Sequence, residues 1–166
     1  MLFLHHLIVK LVTLLKNYYW RVLYQTYRKK YNIPTSFWFG GEAIMFYGDG
    51  EIEIGEDSYI GRYSSIQASK GYKVKIGRNV AISHYVMIYT ENNMADQDFN
   101  IKPLKTNKAN TTIGDACWIG AKVFIKEGVK IGNNCIIGAN SVVVCDIPDH
   151  SICGGIPAKI IRQKNL

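Results

Sequence analysis

Aliphatic residues recur every six positions along most of this chain. The longest unbroken run at this spacing contains Ile113, Ile119, Ile125, Ile131, Ile137 and Val143. The same spacing appears twice earlier, in the sets Ile54, Ile60, Ile66 and Ile76, Ile82, Ile88. A helix face repeats near 3.6 residues and a strand face near 2, so neither regular element explains a period of six.

Six residues are enough for one short strand followed by a tight turn. Three such units close a triangular coil of about eighteen residues, and stacked coils place the aliphatic side chains above one another inside a narrow prism. Glycine usually follows the aliphatic residue, and Asn79 and Asn140 fall in corner segments. Both residue types suit backbone that turns sharply or adopts a positive φ. The spacing therefore predicts a mainly β protein, a parallel β-helix of hexapeptide repeats whose hand the spacing does not fix.

The four cysteines fit the same prism. Cys117 and Cys135 are eighteen positions apart, so we expect them to stack on neighbouring coils as small buried hydrophobic residues. The chain has no C-x-x-C pair, and four cysteines in 166 residues are sparse for a disulfide framework. The pattern therefore favours packing over a metal site.

Residues 1–34 are interpreted as a separate basic amphipathic helical segment that Pro34 ends. The chain carries a net charge of +7, and residues 1–41 contain no acid, which indicates an anionic partner. The apolar run over residues 2–15 is short for a transmembrane span. Two interpretations remain open: the helix packs on the end of the prism or on another subunit, or residues 1–31 make a peripheral membrane contact. No nucleic-acid-reading fold accompanies the basic segment, so nucleic acid is not an expected partner.

Residues 35–166 are interpreted as the β-helix domain. The repeat is interrupted slightly at 67–75 and strongly at 91–111, where a long polar loop leaves the predicted solenoid. Function tends to lie on such loops. The repeat ends near Val143, and residues 146–166 are expected to form a C-terminal cap.

Two stretches carry a family resemblance. They are the run Ile113-Gly-Asp-Ala-Cys-Trp-Ile-Gly-Ala-Lys-Val, continued from Ile131, and the closing Gly154-Gly-Ile-Pro-Ala-Lys-Ile-Ile-Arg162. Over about two thirds of its length, the chain resembles the hexapeptide-repeat acyltransferases, in their O-acetyltransferase branch. The resemblance implies a left-handed β-helix, although ordinary crossovers are right-handed. It also implies a homotrimer that holds acetyl-CoA in the groove between neighbouring subunits.

Acetyl transfer to a hydroxyl needs a base, and histidine is the usual one because its pKa lies near neutral. His5 and His6 lie in the helical segment and His150 in the cap, where packing or surface roles are expected. His84 lies two residues after Ile82, and we expect its side chain to point outward like alternate strand residues. The stretch Ile76–Tyr85 resembles the one that ends in the catalytic histidine of serine acetyltransferases, so His84 is the predicted general base.

The loop departs from one branch of the family and offers partners for the base. In the maltose and galactoside acetyltransferase branch the base is the histidine of a Thr-x-x-His-Pro sequence in the loop, and this chain has Asn93 in that place. Three interpretations stay open: His84 serves as the base instead, the protein is inactive, or this alignment of the loop is displaced. Glu91, Asp96 and Asp98 are candidates to orient His84, as is a backbone carbonyl. Asn92, Asn93 and Asp96 are candidates to bind acceptor hydroxyls.

For the cofactor, the resemblance implies three groups of contacts. Trp118 corresponds to the aromatic residue beside the pantetheine arm. Small residues occur where that arm would approach backbone, or where the solenoid turn itself requires them: Gly120, Ala121, Gly138 and Ala139. Lys159 and Arg162 lie in the terminal signature and are candidates to contact the phosphates.

Together these features predict an acetyl-CoA-dependent O-acetyltransferase that acts on a sugar of a bacterial surface polysaccharide or its lipid-linked precursor. The expected location is the cytoplasm, at the inner face of the membrane. Alternatives keep the fold but act on serine, a small sugar or an antibiotic, or use the solenoid as a non-catalytic scaffold. Zinc chemistry of the carbonic anhydrase type needs three histidines, and only His84 lies in the repeat, so no metal is expected.

Overall fold

The computed structural model describes residues 2–165, apart from the side chain of Phe3. One helix, α1 (Leu2–Tyr31), precedes the strands of this range. The strands are β1 (Trp38–Gly40), β2 (Met45–Tyr47), β3 (Glu51–Ile54), β4 (Tyr59–Gly61), β5 (Ser65–Gln67), β6 (Lys73–Ile76), β7 (Ala81–Ile82), β8 (Met87–Tyr89), β9 (Glu91–Asn93), β10 (Thr106–Lys108), β11 (Thr111–Ile113), β12 (Trp118–Ile119), β13 (Phe124–Ile125), β14 (Lys130–Ile131), β15 (Ile136–Ile137), β16 (Val142–Val143), β17 (Ser151–Gly154) and β18 (Lys159–Gln163). None of the described helical structure is both long and apolar enough to cross a membrane.

Three sheets form the faces of a triangular prism. Face A contains β1, β4, β7, β12, β15, β17 and β18, face B contains β2, β5, β8, β13 and β16, and face C contains β3, β6, β11 and β14. Each coil contributes one short strand to each face in the order A, B, C, and equivalent strands of successive coils pair in parallel. The chain ends in a cap, where β18 pairs antiparallel with β17. The predicted parallel β-helix with an N-terminal helix is confirmed.

The core consists of the six-residue repeat positions stacked in register. On face A, Ile60 pairs with Ile82, Ile82 with Ile119, and Ile119 with Ile137. Every repeat residue from Ile60 to Val143 is at most 2 % exposed, whereas Ile54 in the first coil is partly exposed. A second buried position lies two residues before each repeat residue, and there the Cys135 amide donates to Cys117 Sγ at 3.4 Å, as the predicted stacking requires.

The backbone at the corners differs from the prediction that glycine supplies positive φ there. Asn79 and Asn140 have φ angles of 55° and 58°, as predicted. The glycines that follow repeat residues lie outside the left-handed region, so positive φ does not explain them. Instead the next coil passes too close for a side chain: a Cβ on Gly120 would lie 2.6 Å from the Ala139 amide nitrogen. Coil stacking therefore selects these glycines, with the exception of Gly138.

Helix α1 consists of two halves with different surroundings. Its C-terminal half packs on the aromatic first coil, where the Tyr24 and Phe39 rings stack at 4.4 Å and the Tyr27 and Phe46 rings at 5.1 Å. Tyr24 also donates from its hydroxyl to the Gly41 carbonyl at 2.8 Å. The helix ends at Tyr31, before Asn32 with φ 49°, three residues earlier than the predicted end. Packing on the prism therefore involves this half, while the preceding turns are exposed.

The long polar loop begins and ends in a β-hairpin. Strands β9 and β10 pair antiparallel where the chain passes from face B to face C of the third coil. Glu91 accepts from Ser69 Oγ and pairs with Lys108 Nζ at 3.1 Å. Asn92 Nδ2 donates to Glu127 Oε2 at 2.5 Å, and Glu127 is only 7 % exposed. These contacts attach the base of the hairpin to the second and fourth coils.

Replacing a central repeat residue tests the stacking. Ile125→Ala removes a fully buried side chain, and such truncations cost about 2–5 kcal/mol because the cavity does not close completely. We expect a clearly lower midpoint in urea unfolding followed by circular dichroism. Ile54→Ala, in the partly exposed first coil, is the matched control and should shift the midpoint less. Equal shifts for the two variants would contradict a uniformly packed central column.

Glu127 allows a test of how the hairpin is held. Glu127→Ala leaves the half-buried Asn92 amide without its partner, and a typical hydrogen bond contributes about 0.5–1.5 kcal/mol. We expect faster amide hydrogen exchange across residues 91–108, with little change in the coils. Lys126→Ala is the control, because the Lys126–Glu127 pair at 3.3 Å involves a half-exposed lysine and such pairs contribute about 0–1 kcal/mol. Unchanged exchange in Glu127→Ala would rule out this attachment.

Candidate functional site

One edge of the prism carries His84 and the small residues predicted to lie near the cofactor. At the turn from face A to face B, each coil contributes one residue to a column formed by Glu42, Arg62, His84, Ala121 and Ala139, called the edge column below. Backbone hydrogen bonds link its members: the Tyr85 amide donates to the Arg62 carbonyl at 3.1 Å, and the Lys122 amide donates to the His84 carbonyl at 2.9 Å. His84 therefore lies directly between Arg62 and Ala121 along the edge.

His84 is exposed, but for a different reason from the one expected. Strand β7 ends at Ile82, and His84 lies in the corner turn that Tyr85 completes with φ 60°. The turn, and not strand alternation, directs the side chain outward. Its ring lies over Gly61 of the coil below, where a Cβ would be 2.3 Å from His84 Nδ1. A glycine one coil away thus provides the space for the imidazole.

A cleft of about 750 Å³ opens beside this part of the edge column. One wall is the middle of helix α1, including Trp20, Arg21 and Tyr24. The other wall comes from the first coils and contains Trp38, Arg62 and His84, with Glu42 as the lining carboxylate. Aromatic surfaces, guanidinium groups, one carboxylate and an imidazole therefore meet in one concave site, as ligand sites commonly require.

Glu42 is held in its ionised form. It forms an ion pair with Lys16 and accepts a hydrogen bond from the Tyr63 hydroxyl at 2.7 Å. These two contacts hold the pKa of the Glu42 carboxyl below its ordinary value, the Lys16 contact being the larger cause. The Tyr63 ring in turn stacks on Tyr85 at 5.0 Å, next to His84 in the chain. The wall that carries the histidine therefore also carries an ionised carboxylate, paired with Lys16.

The carboxylates expected to orient His84 lie elsewhere. Glu91 is occupied by Ser69 and Lys108, and Asp98 accepts from Asn100 within the loop. Neither they nor Asp96 line the cleft around His84. Within residues 2–165, no side-chain hydrogen bond to a carboxylate is formed by His84, and Glu42 is the acidic residue that shares its cleft.

The loop residues expected to bind an acceptor lie on a different corner. Asn92, Asn93 and Asp96 belong to the hairpin that leaves between faces B and C, whereas His84 lies between faces A and B. Asn92 directs its amide to Glu127, while Asn93 and Asp96 are exposed. A single protomer does not bring these three side chains to the cleft.

The small residues expected near the cofactor stand above His84 on the same edge. Gly120 is required by coil stacking, as its close approach to Ala139 shows. Gly138 differs, because a Cβ there would meet its nearest neighbour, the Cys153 carbonyl oxygen, at an ordinary 3.4 Å. Packing therefore explains the glycine at 120 but leaves the one at 138 unexplained.

Trp118 and the two cationic candidates lie on face A. Trp118 is 53 % exposed, and its indole Nε1 donates to Ser83 Oγ at 3.4 Å, which ties it to the coil of His84. Lys159 and Arg162 are exposed on β18, at the end of the same sheet. All three are open to a ligand that would run along this face. Among residues 2–165 no three metal-ligating side chains come together.

Sequence reasoning missed Arg62 and Glu42. Arg62 was detectable, because it lies two residues after Ile60 just as His84 lies two residues after Ile82. Glu42 was not, since the first coil has aromatic residues in place of the aliphatic repeat. The place of Glu42 in the edge column is shown only by the structure, through the hydrogen bond from the Tyr63 amide to the Glu42 carbonyl at 3.0 Å.

Known proteins share both the repeat and the fold. Residues 110–145 match the family described as bacterial transferase hexapeptide (six repeats). The crystal structure of a hexapeptide-repeat-containing acetyltransferase from Vibrio cholerae O1 biovar eltor, complexed with acetyl coenzyme A, superposes with a TM-score of 0.70. It is 28 % identical, and the match covers 86 % of this chain and 76 % of that one.

Two curated relatives come from Escherichia coli strain K12. The galactoside O-acetyltransferase is 33 % identical over 77 % of this chain and 61 % of its own length. A putative lipopolysaccharide biosynthesis O-acetyl transferase is 32 % identical over 75 % of this chain and 63 % of its own length. The chain spans about three fifths of the length of the curated relatives it matches. Repeat, fold and relatives agree, and the chain belongs to the hexapeptide-repeat acyltransferase family.

Proposed function

We propose that this protein is an acetyl-CoA-dependent O-acetyltransferase, with a sugar hydroxyl of a bacterial surface polysaccharide or its precursor as acceptor. The observation that carries the proposal is the edge column, which aligns the exposed His84 with Ala121 and Ala139 beside a cleft. A base, small residues for a narrow ligand and a concave acceptor site are the parts that this reaction needs.

His84 is proposed as the general base. It would take the proton from the acceptor hydroxyl as the oxygen attacks the acetyl carbonyl, and later return it to the departing thiolate. The bond from carbon to sulfur is thereby exchanged for one from carbon to oxygen.

The remaining residues fit the acetyl donor. Acetyl-CoA supplies an activated acyl group at the end of a long, narrow arm. The exposed indole of Trp118 and the backbone at Gly138 and Ala139 offer a surface along which such an arm fits, and Lys159 and Arg162 offer cations for its phosphates. The relative from Vibrio cholerae, complexed with acetyl coenzyme A, supports this assignment.

The acceptor is proposed from the chemistry of the cleft. Trp20 and Trp38 provide flat apolar surfaces, while Glu42 and Arg62 provide hydrogen-bonding groups beside them. Stacked rings with convergent polar groups suit the faces and hydroxyls of a sugar. The two Escherichia coli relatives are named as a galactoside O-acetyltransferase and a putative lipopolysaccharide biosynthesis O-acetyl transferase. Both names point to the same class of acceptor.

We further propose a homotrimer, which the family resemblance implies. The hairpin residues Asn93 and Asp96 and the edge column lie on different corners of one protomer, so a site that uses both must combine two copies. Identical contacts around a closed ring would meet this need at every site. The outer surface of face A, with Trp38 and Trp118 more than half exposed, offers an apolar area for such a contact.

Removing the imidazole tests the base. For His84→Ala we expect kcat for transfer of radiolabelled acetyl to a galactoside or a surface glycan to fall about 10²- to 10⁴-fold, with CoA binding by calorimetry preserved. His150→Asn is the control, because His150 is also an exposed corner histidine, with φ 60°, and lies outside the cleft. Full activity of His84→Ala would remove His84 from the site, and no CoA binding by the unmodified protein would favour a scaffold.

Two glycine variants separate packing from cofactor binding. Gly138→Ala meets no close neighbour, so we expect an unchanged or slightly higher Tm, together with a raised KM for acetyl-CoA because the added methyl narrows the path of the arm. Gly120→Ala clashes with backbone at 2.6 Å and should lower the Tm. The measurements are thermal unfolding and initial rates at varied acetyl-CoA. An unchanged KM in Gly138→Ala would place the arm elsewhere.

A further inference from the structure

The N-terminal half of helix α1 is an exposed apolar surface. Residues from Leu4 to Tyr19 form more than four helical turns, about 24 Å, that project beyond the packed half of the helix. Their large apolar side chains are each about half or more exposed: Leu4, Leu7, Ile8, Val9, Leu11, Val12, Leu14, Leu15, Tyr18 and Tyr19. Single exposed apolar residues are ordinary, but a continuous set of this size indicates a binding surface.

Most of these apolar residues occupy one side of the helix, with Val9 as the exception. At 100° per residue, Leu14, Leu7, Leu11, Leu4, Leu15, Ile8 and Val12 fall within an arc of about 160°, called the apolar arc below. His6, Lys10, Thr13 and Asn17 fall on the opposite side. The segment is therefore amphipathic, with a polar side broad enough to remain in water.

The prism of the same protomer does not cover the apolar arc. Trp20, Tyr24, Tyr27 and Tyr31 pack on the first coil, and their side of the helix is centred about 170° from the middle of the apolar arc. The apolar arc therefore continues along the outer side of α1, away from the body. Whatever covers it must come from outside the protomer.

Charge indicates what that partner is. Helix α1 contains six basic residues and no acid, counting Lys10, Lys16, Arg21, Arg28, Lys29 and Lys30. Lys29 and Lys30 lie near the C-terminal end of α1, at the same angles around the helix axis as the apolar arc. A second copy of the helix would bring like charges together, whereas a bilayer with anionic headgroups would neutralise them. Tyr18 and Tyr19 fall within the apolar arc, and tyrosine suits the interfacial region of such a bilayer.

We infer that the apolar arc of α1 lies in the surface of a lipid bilayer that carries anionic headgroups, with the helix axis parallel to the membrane. Interfacial helices bind in this way, through buried apolar area together with attraction of Lys and Arg to anionic lipid. Arg21 and Gln25 line the cleft from the side of the helix next to the apolar arc, so the anchored helix would hold the cleft at the membrane. The lipid contact does not depend on the proposed activity.

Vesicle binding by the full chain tests this inference. The probe is co-sedimentation with phosphatidylcholine vesicles, with and without phosphatidylglycerol. We expect binding to the anionic vesicles that weakens with salt. The double variant Leu11→Glu, Leu15→Glu should weaken it about a hundredfold or more, because it removes two apolar contacts and adds two negative charges. The control His6→Glu, Thr13→Glu adds the same charges on the polar side and should bind more tightly than the first variant.

Three results would overturn the inference. They are failure of the unmodified protein to bind anionic vesicles, equal binding to vesicles with and without phosphatidylglycerol, and equal loss in the two double variants. Sedimentation velocity without lipid provides the remaining comparison. A smaller assembly for Leu11→Glu, Leu15→Glu alone would show that another copy of the chain covers the apolar arc. Acetyl transfer to a water-soluble sugar, measured in parallel, reports separately on the proposed function.

Discussion

Stacking of one aliphatic side chain per strand, in register from coil to coil, is the constraint on which this structure depends. Ile82, Ile119 and Ile137 contact one another along face A with almost no exposure, and the other faces do the same. The prism they fill is only wide enough for these side chains. An enclosed pocket has no room inside it, so chemistry must occur on the faces, at the edges or between copies.

The period of six was sufficient to predict the fold because each repeat position has the same neighbours in every coil. It also predicted an outward-pointing His84, although the corner turn and not strand alternation exposes it. The irregular first coil escaped prediction, since Phe39 and Phe46 replace the aliphatic repeat and pack under helix α1. Glu42 and the cleft depend on that packing, and no local pattern encodes it.

The glycines after the repeat residues show that one residue type can have different physical causes at equivalent positions. The same residue follows many repeat positions, and the sequence suggested one conformational reason for all of them. Close approach of the next coil explains Gly120, whereas Gly138 has room for a methyl group. Only the distances between coils distinguish a glycine kept by packing from one that leaves space for a ligand.

The coils differ in length at their corners. Strand registers resume without a slip after the enlarged corner at 68–72 and after the hairpin of 91–108, because hydrogen bonds between coils, and not the intervening segment, set the alignment. A corner can therefore gain or lose residues while the column beneath it keeps its order. Such a scaffold can gain a recognition element at one corner without any change in the packing of its core. A change in specificity therefore need not alter the stability of the fold.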